Sequence, residues 1–173
     1  MEIFSRITAA VPVALPEAFG FLNVVGDFLI LLVLFGLLFV FLWYMGKGPF
    51  IGLLIALYVA YALFSIFPYK ESLPVEPQLL AVGSASSIFL LLMGIAYVVL
   101  RRTVASDFIY IGILGQVILC VLGAGLLLAI AFHVLAIPTI YAFSPILHTL
   151  FAPPELFFWW FAAPLVGLFF LSR

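Results

Sequence analysis

GKGPFIGLLIALYVAYALFSIFP, residues 46–68, is the stretch whose reading decides the fold. It opens on a glycine turn with one basic residue, Gly46-Lys47-Gly48-Pro49. Both glycines can take positive φ. Pro49 suits the first turn of a helix, where its missing N–H would have had no partner. An apolar run follows in which Gly48, Gly52, Ala56 and Ala60 recur at every fourth position. In lipid, helices associate by close backbone approach, and small residues four apart permit it. The stripe is therefore expected to be a helix-packing seam, and the turn plus helix the hub of a membrane bundle. Tyr58 and Tyr61 are the polar tips of this helix, and Pro68 ends it.

Composition sets the solvent. Of 173 residues, 68% are hydrophobic and 8% are charged, against about 45–50% and about 25% in soluble domains. A single core of this length hides only about 70% of the unfolded chain's surface, so lipid must cover the rest. The net charge of −1 provides no basic face for nucleic acid. Cys120, the one cysteine, lies in an apolar run and can form no intrachain disulfide. It reads as a small packing residue.

Five apolar runs emerge, over about residues 27–45, 50–67, 79–100, 110–136 and 156–171. These predict an all-α, polytopic transmembrane bundle in one domain. Asn23 or Asp27 can cap the first span, and Trp43 and Tyr44 mark its far interface. The third span begins with Ala81, Gly83, Ser84, Ala85, Ser86 and Ser87. These hydroxyls can bond back to their own helix or across to another. Ser106 and Asp107 form an N-cap pair for the fourth span, whose length calls for tilt. The fifth span has about 16 residues and Pro164 within it. It is short enough that a re-entrant path is the alternative.

Two segments read as lying on the membrane surface. Residues 1–21 are broken by Pro12 and Pro16 and lack the basic start of a signal peptide, with a frayed terminus as the alternative. Residues 137–155 carry four prolines, with Ser144-Pro145 placed to start a short helix ending at Phe151. Residues 69–78 form a polar connector holding Lys70, Glu71 and Glu76. With five spans, Lys47, Arg101, Arg102 and Arg173 share one side, and Arg6 and Lys70 the other. The positive-inside bias puts the N-terminus outside and the C-terminus in the cytoplasm.

No catalytic constellation is legible. His133 and His148 are the only histidines and show no metal-ligand spacing. No GxSxG surrounds a serine, and Gly46-Lys47-Gly48 lacks the spacing of a phosphate loop. Every charged residue falls at a span end or in a loop. No cofactor or metal site is expected. Ser84, Ser87 and Gln116 are the candidate polar cluster within the membrane. An intramembrane enzyme would need Gln116 and His133 to converge with a serine.

Residues 22–68 resemble the signature region of the colicin V production protein (CvpA-like) family of small bacterial inner-membrane proteins. The likeness lies in Asn23 and Asp27, in Gly46-Lys47-Gly48-Pro49-Phe50, and in Leu53, Leu54, Leu57 and Ala60. Pro49 before the aromatic, a single basic residue in the turn and the fifth aromatic span depart from the family pattern. The resemblance implies a multi-pass protein of the bacterial inner membrane that serves envelope maintenance or export without known catalytic residues. The expected function is thus a non-enzymatic scaffold or accessory subunit, with a protein partner docking at the outside loop 137–155. The alternative is a small transporter or pore subunit, as a homo-oligomer with Ser84 and Ser87 lining a lumen.

The seam makes a direct prediction. Ala56→Leu should lower the folded fraction in a detergent-stability assay more than Lys47→Gln does. Equal folding of the two variants would mean that the stripe faces lipid.

Overall fold

Length and apolarity carry through to the structure. The computed structural model describes residues 26–69, 73–74, 76–103, 112–141 and 143–171. Its helices are α1 (Gly26–Met45), α2 (Lys47–Ser65), α3 (Gln78–Thr103), α4 (Ile113–His133), α5 (Pro145–Phe151) and α6 (Pro154–Leu171). A 3-10 turn, Ile137–Thr139, lies between α4 and α5. All but α5 are long and apolar enough to cross a membrane, and no strand occurs among the described residues. The protein is a multi-pass integral membrane protein. The 18 residues of α6 reach about 27 Å at about 1.5 Å each, close to the roughly 30 Å of a hydrocarbon core.

Burial sorts the helices into two layers. Of the most apolar 18-residue stretch of each helix, more than half is buried in α4 and 44% in α2, against 17% or less in α1, α3 and α6. The outer helices show lipid large apolar side chains such as Leu32, Leu37, Leu91, Val98 and Phe169. On α3 the buried positions are Val82, Phe89 and Ala96. That seven-residue repeat is the seam of a helix packed along a neighbour. The neighbour is α2, met through the edge-on rings of Phe64 and Phe89.

The α1–α2 hairpin turns on one residue. Gly46 has φ 88°, a conformation costly for any residue with a Cβ. Gly48 and Pro49, by contrast, lie inside the first turn of α2. The expected two-glycine turn is therefore a one-glycine turn, and α2 begins three residues earlier than its apolarity predicts. Gly52, Ala56 and Ala60 of the stripe are buried and Gly48 is half-buried. A Cβ added at Gly52 would meet nothing within 4 Å, so that glycine is not what brings the backbones together.

The closest approaches lie on α4 and α6. A Cβ on Gly123 would lie 3.0 Å from Leu54 and 3.2 Å from Leu38, which places α4 against the α1–α2 hairpin. On Gly125 it would run into the ring of Trp160. That indole stacks on Phe151 at 4.8 Å and donates its N–H to the Leu150 carbonyl at 3.1 Å. Trp160 thus locks α4, α5 and α6 together, while Trp159 is exposed as an interfacial ring would be. Pro164 is buried inside α6 and deprives the preceding turn of an N–H. Tyr58 of α2 donates to the Phe161 carbonyl in that turn at 2.6 Å. A neighbouring helix here supplies a donor at a proline break.

Two helix ends differ from the sequence expectation. The fourth span is α4, of 21 residues, and stops at His133 where a run to Ala136 was expected. Ala136 is left-handed, with φ 50°, and Pro138 follows, so no long tilted helix forms. Asp27 is already inside α1 and so cannot be its N-cap. Asn23, the Ser106-Asp107 pair, Lys70, Glu71, Arg6, Arg173 and the surface segment 1–21 lie outside the described residues.

Gly125→Ala should destabilise the fold by about 1–3 kcal/mol, the range for overpacking, because an indole ring has no short retreat. Gly52→Ala should be neutral or stabilising by up to about 1 kcal/mol through helix propensity. Thermal unfolding of both variants in detergent checks the pair.

Candidate functional site

Among the described residues two polar side chains are buried, Asp27 and Ser144, each 2% exposed. They meet. The Ser144 backbone N–H donates to Asp27 Oδ2, across 117 residues of chain. Ser144 has the extended φ of −63° and ψ of 155° of an N-cap, and Pro145 follows at the first helical position. The Ser144-Pro145 start of α5 is therefore as the sequence predicts. The capping chemistry is not, since Ser144 makes no side-chain cap bond. Its N–H points away from α5 and is taken up by α1.

The partners of α5 fix the rest of the site. Leu147 and Phe151, four residues apart, turn inward and are buried, while Ile146 and Leu150 face out. Phe132 of α4 packs against Phe143, His148 and Phe151, with ring centroids 4.7, 5.6 and 5.9 Å away. Tyr141 stands edge-on to Phe143, and its hydroxyl is 3.5 Å from where a Cβ on Gly26 would lie. Segment 141–151 is thus held down on α1 and α4 by aromatic rings and one carboxylate.

Asp27 is incompletely satisfied. Oδ1 is buried and accepts no hydrogen bond. Asp27 also lines a small void of about 130 Å³, together with Phe28, Leu31, Ser144, Ile146 and Leu147. An adjoining groove of about 340 Å³ shares Phe28, Leu31, Ile146 and Leu147 and runs on to Val121 and Trp160. A larger apolar groove of about 620 Å³ lies on the other side of α1, against α4 and Tyr141.

The candidates from the sequence do not converge. Ser84 donates to Ala81 and Ser87 to Gly83, both within α3. Gln116 is near the start of α4, at the opposite membrane face from the start of α3. Gln116 and His133 stand at opposite ends of α4, about 25 Å apart at about 1.5 Å per residue. One reacting group cannot lie between them. His133 sits over Phe157 at 4.6 Å, with Nδ1 3.3 Å from the Ala129 carbonyl. Among the described residues no three His, Cys, Asp or Glu side chains are grouped to hold a metal ion.

Comparison with family models, with curated proteins and with solved structures finds no match to this chain.

Sequence reading treated Asp27 as a helix cap and missed its pairing with the Ser144 amide. The available signal was an acidic residue at the edge of a span, since ionisable groups there mark functional positions by default. Nothing in the spacing pointed to a partner 117 residues away.

Asp27→Ala should cost about 1.5–3 kcal/mol, the range for a hydrogen bond to a charged group, and should expose segment 141–151 to protease. Asp27→Asn retains an acceptor oxygen and should cost less. Unfolding in detergent combined with limited proteolysis reads both effects.

Proposed function

We propose that the protein is a non-enzymatic scaffold or accessory subunit of a bacterial inner membrane, acting in envelope maintenance or export. That is the role implied by its CvpA-like turn region. The carrying observation is the platform at 137–151. Ile140, Tyr141, Ile146 and Leu150 are exposed there on a segment whose other face is tied to α1, α4 and α6. A rigid apolar ledge at the membrane surface suits a partner protein, because preorganised elements lose little entropy on docking.

Charge supports the orientation. Lys47 begins α2, and Arg101 and Arg102 end α3, so these cations share the face opposite the platform. Basic residues favour the cytoplasm. The platform then lies outside, with the N-terminus outside and the C-terminus inside.

A photo-crosslinking residue at Leu150, with another at lipid-facing Val98 as control, tests the reading in native membranes. A dominant protein adduct at position 150 and none at 98 is expected. Lipid adducts alone at both positions would contradict the scaffold role.

A further inference from the structure

We propose that the groove between α1 and α5 binds a membrane phospholipid whose headgroup ends in a primary ammonium, with that ammonium donating to Asp27 Oδ1. This goes beyond the scaffold reading and does not depend on it.

A buried polar atom is ordinarily paired, and a carboxylate oxygen left without a donor is among the costlier omissions. Asp27 Oδ1 is such an atom. Among the described residues the void around Asp27 is lined by apolar side chains and Ser144, whose N–H is committed to Oδ2 and whose hydroxyl makes no bond to Oδ1. The missing partner must therefore be a donor, and a cationic donor complements the carboxylate best.

The surroundings give the rest of the ligand. Phe28, Leu31, Ile146 and Leu147 border both the void at Asp27 and the 340 Å³ groove. The two form one cleft with a polar end and an apolar body, and the larger part falls within the usual size of ligand pockets. Phe28 is 68% and Ile146 61% exposed. These rim residues belong to helix faces turned to the membrane, so a ligand enters sideways from the bilayer. Val121 and Trp160 line the apolar end, where an acyl chain can lie while the headgroup stays at the outer end of α1. A choline headgroup fits poorly because a quaternary ammonium has no N–H to donate. A glycerol headgroup donates only neutral hydroxyls, and its phosphodiester would bring a second negative charge toward Asp27 uncompensated.

The protein purified in mild detergent is titrated with phosphatidylethanolamine, phosphatidylcholine or phosphatidylglycerol of matched chains, and retained lipid is read by native mass spectrometry. Phosphatidylethanolamine should be retained at least about tenfold more tightly than either of the others, a difference of one decade in Kd. Asp27→Asn, which keeps the Ser144 contact, should remove that preference. Val121→Trp fills the apolar end of the groove, away from the void at Asp27, and should weaken retention of all three lipids. Equal retention of the three by the wild type would overturn the proposal. So would an Asp27→Asn variant that stays folded by circular dichroism and keeps the preference, since the carboxylate would then not be what selects the headgroup.

Discussion

A carboxylate on α1 holding the amide that starts α5 is the interaction on which the outer face of this protein depends. Both residues are 2% exposed, where water competes little and a charge-assisted hydrogen bond is at its strongest. Segment 137–151 has no long helix of its own to satisfy its backbone. It is anchored because Asp27 accepts from Ser144 and because Phe132, Phe151 and Trp160 cover its inner side. Without that anchor the ledge would be a loop on a membrane surface. With it, the exposed edge of Ile146 and Leu150 has a fixed position.

The bundle beneath obeys a different constraint. Apolar side chains gain little by leaving lipid for protein, so spans associate through close fit and occasional hydrogen bonds. The fit is tightest where a large ring meets a glycine, Trp160 on Gly125, and close where Leu122 meets Gly167 and where leucines from two helices close on Gly123. The hydrogen bond comes from Tyr58 to the carbonyl of Phe161 near the Pro164 break. Each of these contacts touches α4 or α2, the two most buried spans. The hub of the fold is thus this pair of helices, and the Gly46 turn delivers one of them.

Much of this was legible in the chain. Apolar runs near 20 residues long announce spans, and the five helices follow them. Ser144-Pro145 announces a helix start, and α5 begins there. Helix ends were harder, because they depend on single backbone conformations. Apolarity continues past His133, yet Ala136 turns left-handed; Gly48 could take positive φ, yet only Gly46 does so among the described glycines. Least legible were contacts between distant residues. A small-residue stripe on α2 is visible in sequence, but which glycines are crowded depends on the ring opposite, and Trp160 lies 35 positions from Gly125. The Asp27–Ser144 pair is harder still, since one partner is a backbone group that no residue type announces.

The central claim is that Asp27 and the Ser144 amide act as one unit. A double-mutant cycle tests it, with Asp27→Ala on one side and Ser144→Pro on the other. Proline matches the φ of −63° at position 144 and removes the N–H. Unfolding free energies of the four proteins in detergent should be non-additive, with a coupling of about 1.5–3 kcal/mol. Additive effects within about 0.5 kcal/mol would mean that the outer ledge is held by its aromatic packing alone, and would contradict the account.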